Sequence, residues 1–219
     1  MGVILRLADI VISKKTQEDI YEIKINENKN STFWKVFPWE RLNILRFKFS
    51  DDKTVIRFSA TSVETLDQFI AQKAHQISYD NALGLFSDIG NQLETLEKHQ
   101  LGIPQFNTHD IIVINANTFF YVNQEKIFPM NDENNLVFET PIQKNKFSSP
   151  ELKAIKSLPN SIPFQSGMFS LALLTSFCLT GEDGSDHAKI LAPIYTTPLY
   201  YSLLRCLHKK PTKRFYLMI

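Results

Sequence analysis

Few residues in this chain are of a type and spacing that could do chemistry. The clearest polar cluster at a predicted cleft is Asn107-Thr108-His109-Asp110, where an imidazole and a carboxylate stand side by side and either group is able to take up a proton. A loop with no chemical role would read the same way. His75, His99, His187 and His208 are dispersed, without metal-ligand spacing, and read as helix-surface or loop residues. Cys178 and Cys206, the only cysteines, fall inside apolar helical patterns, where a thiol behaves as a small hydrophobe; this fits a reducing compartment and excludes a zinc site. Glu151 in Ser149-Pro150-Glu151 reads first as a carboxylate at a helix start. Arg214 in Pro211-Thr212-Lys213-Arg214 reads as part of a basic patch with Lys209 and Lys210, either a solvated end or a contact for an acidic partner.

The elements that must position these residues follow from composition and periodicity. With 219 residues, 43% hydrophobic and 12% aromatic, the chain suffices for one substantial domain or two small lobes. A net charge of +1 gives no bulk electrostatic argument for nucleic acid or an anionic membrane. Val3 to Ile12, Ile20 to Ile25, Leu42 to Phe49 and Thr54 to Phe58 carry β-branched and aromatic residues between polar turns, predicting a small twisted sheet. Arg6 and Asp9 interrupt the first run, which reads as a strand and not as a signal peptide. Asn26 to Thr32 reads as a loop, and Phe33 to Trp39 as an aromatic stretch that either fills the core or offers a partner surface.

From Ser62 the period becomes helical. Leu66, Phe69, Ile70, Ala74 and Ile77 form one face, with Ser62 as N-cap, and a longer helix follows from Ser78 to before Gly102. Ile111 to Ile114 and Phe119 to Val122 predict a hairpin, with further extended pieces at Lys126 to Met130 and Leu136 to Glu139. Ser149 and Pro150 mark a helix start. Met168 to Thr180 is apolar on every face and stops at Gly181, predicting a buried central helix too short and too hydroxyl-rich for a membrane span. A last helix runs from about Pro198 to His208.

This order resembles a protein kinase fold over roughly residues 54 to 217. Ser149-Pro150-Glu151 is similar to the Ala-Pro-Glu that closes the kinase activation segment, and Pro211-Thr212-Lys213-Arg214 to the Pro-x-x-Arg near the end of the large lobe. The resemblance implies an α+β fold with a small β-rich N-terminal lobe, residues 1–57, and a larger, mainly helical C-terminal lobe, residues 58–219. It also implies a buried ion pair between Glu151 and Arg214. The chain further resembles short kinase-like proteins of giant DNA viruses, through Asp110-Ile111-Ile112-Val113-Ile114 and Ser148-Ser149-Pro150-Glu151-Leu152.

The reactive parts of the family pattern are altered. No glycine lies between Gly2 and Gly84, so the N-terminal sheet has no glycine loop for phosphates. Lys24 resembles the strand lysine that faces a nucleotide, although a solvent-facing strand would look the same. Asn107 stands near the place of the catalytic base, and Asp110 near that of the metal-binding asparagine, or serves as a lone base if the register shifts. Asn123-Gln124-Glu125 replaces Asp-Phe-Gly, leaving Glu125 as the one charged oxygen ligand there. At the start of the buried helix the family has a loop-anchoring aspartate followed by Trp, Ser, Leu and Gly, and here Gly167, Phe169, Ser170, Leu171 and Ala172 occupy those places.

The resemblance therefore implies a pseudokinase that binds another protein and acts as a scaffold, with no cofactor, or residual ATP and magnesium held by Lys24, Asn123 and Glu125. The alternatives are an atypical serine/threonine kinase using Asp110, Glu125 and Lys24 in shifted roles, or a structural virion component. Expected partners are protein, with neither nucleic acid nor membrane. The expected location is host cytoplasm or virion for a viral protein, and cytoplasm otherwise.

Overall fold

The computed structural model describes residues 2–7, 10–15, 19–25, 47–50 and 54–215. The aromatic stretch Phe33 to Trp39 and the residues from Leu42 to Arg46 lie outside them. The chain is mixed α+β, β-rich at its N-terminal end and helical later.

Among the described residues, β1 (Gly2–Arg6), β2 (Ile10–Lys14), β3 (Ile20–Ile25), β4 (Phe47–Phe49) and β5 (Val55–Ser59) form an antiparallel sheet in the order β1-β2-β3-β5-β4. The single strand expected from Val3 to Ile12 is instead a pair, since the chain reverses between Arg6 and Ile10 and sets Arg6 opposite Val11. Alternation puts Tyr21, Ile23 and Ile25 of β3 into the core. On the opposite face Glu22 is buried beneath cations, its Oε1 accepting from Arg57 Nε at 2.7 Å and lying 3.4 Å from Lys15 Nζ.

Val63–Thr65 forms β6, where the sequence predicts the start of a helix capped by Ser62. The chain is extended there because β6 pairs with β8 (Ile111–Ile114), which in turn pairs with β9 (Thr118–Tyr121). Helix α1 (Leu66–Gln72) starts three residues late, with Thr65 as N-cap and its amide donating to Gln68 Oε1 at 3.1 Å. Ser78 caps the 20-residue α2 (Tyr79–Lys98), which buries Ala82, Leu85, Phe86, Ile89, Leu93 and Leu96. Helix α2 also serves the open edge of β9. Asp88 Oδ2 accepts from the Phe119 amide and Gln92 Oε1 from the Tyr121 amide, both at 2.9 Å, so acceptors four residues apart satisfy strand amides two apart.

Strand β7 (Leu101–Gly102), before the hairpin, pairs with β10 (Phe128–Pro129) after it, and β11 (Asn135–Phe138) pairs with β12 (Asn160–Pro163). Ser149 caps α3 (Pro150–Ala154), accepting from the Leu152 amide, with Pro150 in the first turn. Helix α4 (Gln165–Thr180) is the buried central helix, closed by Gly181 at φ 72°. Two of its hydroxyls are spent internally, Ser176 donating to Ala172 O and Thr180 to Ser176 O. Short α5 (His187–Ile190) leads to α6 (Pro198–Cys206), which turns Leu199, Leu203 and Cys206 inward. One hydrophobic cluster runs from Ile10 in the sheet through α2 and the hairpin to Leu207.

Candidate functional site

The loop from Ile103 to Asp110 carries the candidate chemical residues, and three separate parts of the chain hold it. Phe106 is the pivot. Its amide donates to Ser170 Oγ of α4 at 2.8 Å in a buried bond, its carbonyl accepts from Asn145 Nδ2 at 2.9 Å, and its ring packs edge-on against Tyr121. Beside it Gln105 accepts from Ser148 Oγ and donates to the Gln143 carbonyl. Ser148 also accepts from the Asn145 amide at 2.8 Å, so the segment before α3 is folded onto the loop by side chains that are themselves tied down.

Helix α4 can approach this loop because Gly167 lacks a side chain. A Cβ there would stand 2.3 Å from the Ile103 carbonyl oxygen, well inside contact distance. One turn along from Gly167, Ser170 anchors the loop through the Phe106 amide. Only the packed structure reveals this, because a serine within an apolar helix gives no sequence signal of its own.

At the far end of the loop a short 3-10 turn, Thr108–Asp110, presents Asp110. Its side chain is 4% exposed, and both carboxylate oxygens are engaged: Oδ1 accepts from Asn123 Nδ2 at 2.7 Å and Oδ2 from Lys126 Nζ at 2.6 Å. The backbone is held as well, the Asp110 amide donating to Asn107 O and its carbonyl accepting from the Val122 amide. Next to it the Tyr121 hydroxyl is fully buried; burial first, and the Asp110 charge second, push its pKa well above the usual phenol range.

The candidate residues divide accordingly. Asp110 and Asn123 are brought together, with Lys126 as a third member that the sequence did not single out. Asn107 is half-buried at the head of the 3-10 turn and contributes its backbone carbonyl. Glu125 is exposed, and its amide donates to Asn123 Oδ1. Lys24 is exposed on β3, on the face shared with Glu22 and opposite the face that enters the core. His109 is exposed with Nδ1 3.0 Å from Asp67 Oδ1.

A second polar centre lies where α3, α4 and the C-terminal 3-10 turn meet. Arg214 Nη1 donates to Glu151 Oε2 at 3.0 Å and Nη2 to Oε1 at 2.8 Å. Its remaining donors reach the carbonyls of His208 at 2.7 Å and Lys209 at 3.1 Å, and the guanidinium stacks 4.6 Å from the Phe169 ring centroid. Burial, the largest single influence, would raise the Glu151 carboxyl; the hydrogen bonds and charge of Arg214, with a backbone amide and Ser149, together outweigh it and hold the group below its ordinary value.

Chemically, the Asp110 cluster is a closed triad of carboxylate, amide and ammonium. Its charges cancel internally, and it fastens the loop to the end of the hairpin. Among the described residues no group of three or more histidine, cysteine, aspartate or glutamate side chains is arranged to hold a metal ion. No described helix is long and apolar enough to cross a membrane. The chain matches no known family model, and comparison with curated proteins gives no match.

Proposed function

We propose that this chain is a catalytically inactive, protein kinase-like module that works by binding another protein. The kinase-like part is supported by the order of elements, from a β-rich start through α2, the hairpin and the Ser-Pro-Glu helix to a buried helix and Pro-x-x-Arg, with Glu151 joined to Arg214. The inactive part is carried by one observation, that both oxygens of Asp110 are already engaged by Asn123 and Lys126. A general base has to offer a reachable lone pair to the proton it removes, and a metal ligand one to the cation; each bonded oxygen keeps a second lone pair, and a side chain only 4% exposed is what withholds it. Phosphates also lack a glycine-rich backbone cradle, since no glycine lies between Gly2 and Gly84.

The test is thermal unfolding of the purified chain with ATP and magnesium, with ATP and manganese, and with ATP alone. A nucleotide present at about 100 times its dissociation constant would stabilise the fold by roughly 2.7 kcal/mol. No shift is expected under any condition. A shift that requires metal would mean that a nucleotide site survives, and magnesium-dependent phosphoryl transfer abolished by Asp110→Ala would overturn the proposal in favour of an atypical kinase using Asp110, Glu125 and Lys24.

A further inference from the structure

Helix α3 stands between two grooves with apolar floors. The larger, about 560 Å³, lies between α3, α4 and the start of α5, over Phe147, Phe169, Leu173 and Phe177. The smaller, about 270 Å³, lies on the other side of α3, over Phe138, Ile142, Leu152 and Ile155. Their rims are basic. Lys146, Lys153 and Lys209 border the larger groove, and Lys144 and Lys156 the smaller, all five exposed.

This local charge is not evident from the balanced composition of the whole chain. Between Thr140 and Thr180 the sequence has four lysines and one acid, Glu151, and that acid is taken up by buried Arg214. Two of the lysines are fixed in place. Lys144 Nζ donates to the carbonyls of Lys153 and Ile155 at 2.9 and 2.7 Å, and Lys146 Nζ sits 3.2 Å above the Phe177 ring centroid. Positive charge is thus held at the edge of an apolar floor, while Glu182 and Asp183 also line the larger groove.

We propose that the grooves on either side of α3 bind an acidic peptide segment of a partner protein, its bulky apolar side chains seated on Phe169, Leu173 and Phe177 and its carboxylates meeting Lys146, Lys153 and Lys209. This rests on the protein-binding role above and gives it a place and a partner chemistry. A nucleic acid fits less well: Glu182 and Asp183 would repel a phosphate backbone charged at every residue, whereas a peptide can place its few carboxylates at the lysines alone. An anionic membrane is a flat partner, and this surface is concave with acidic residues in its lining.

Short random peptides displayed on phage are selected against the full chain, and labelled winners are titrated by fluorescence anisotropy against the parent, a Lys146→Glu/Lys153→Glu variant and a Leu173→Lys variant. The expected winners combine Asp or Glu with Phe, Leu, Met or Trp, and their binding weakens about tenfold or more in the charge-reversed variant and at raised salt. Thermal melts establish that each variant is folded; if Leu173→Lys is not, the two exposed lysine reversals carry the test. Winners that bind the charge-reversed variant as tightly as the parent would overturn the groove assignment while leaving protein binding standing. Failure to enrich any peptide, or binding only of a single-stranded DNA probe or of phosphatidylserine vesicles, would overturn both.

Discussion

Glu151 and Asp110 are both carboxylates held by a cation inside the fold, and they are held differently. Arg214 meets Glu151 with two parallel hydrogen bonds, spends its other donors on two carbonyls, and its side chain is wholly inaccessible. Lys126 meets Asp110 with one bond from a side chain that is 36% exposed. The first cation is a packing element that orders three parts of the chain at once. The second neutralises an acid from the solvent side and can be withdrawn with less damage. The position of the cation, more than the burial of the carboxylate, sets what each pair is worth.

The largest expected effect tests the first half of that comparison. Arg214→Met strands Glu151 and should cost about 3 to 5 kcal/mol, read as a fall in Tm of roughly 6 to 20 °C for a chain of this size. Arg214→Lys should restore little of it, because an ammonium cannot supply the fork. A loss below about 1 kcal/mol would mean the pair behaves like a surface bridge.

Gly167→Ala should come next, at about 2 to 3 kcal/mol, because the added methyl meets a backbone oxygen that cannot move aside without shifting the Ile103 loop. Ser170→Ala leaves the buried Phe106 amide without its acceptor and should cost about 1 to 3 kcal/mol in chemical denaturation, with faster hydrogen exchange at that amide. Lys126→Met should cost only about 1 kcal/mol, since water reaches the vacated side of Asp110. Equal losses from Lys126→Met and Arg214→Met would erase the distinction between the pairs.

Acid titration sharpens the same point. The folded-state pKa of Glu151 lies below its ordinary value of 4.5, so its stabilisation is complete above that pH and is lost as the pH falls through the depressed value. The parent should therefore lose stability on acidification below about pH 4.5, and Arg214→Met should lose that component of the dependence. The smallest readout is chemical: burial pushes Cys178 and Cys206 up to about 12, so iodoacetamide should modify neither at neutral pH until the chain unfolds.

Local signals in the sequence were reliable where a residue acts on its own neighbours. Ser78 and Ser149 cap the helices that follow them, Pro150 sits in a first turn, and Gly181 ends α4 in the left-handed conformation, because capping depends on residues within one turn. The reversal between Arg6 and Ile10 and the late start of α1 were missed for a complementary reason. An apolar run such as Val3 to Ile12 does not show where it turns back on itself, and Val63-Glu64-Thr65 is extended only because Ile112 to Ile114 lie beside it. The polar contacts show the same limit: Ser170, Gln105 and Lys126 are unremarkable by type, and each owes its role to a backbone or carboxylate brought near from another segment.

By itself the sequence determined the hairpin, the capped starts of α2 and α3, the apolar character of α4 and the absence of glycines between Gly2 and Gly84, all of which follow from residue type and near-neighbour spacing. The tertiary structure alone decided that Asp110 spends both oxygens within the chain, that a serine anchors the Phe106 loop, and that lysines from Thr140 onward gather around two apolar grooves. Hydrogen bonds and local charge depend on distances of a few ångströms between residues far apart in the chain, and periodicity does not encode those distances.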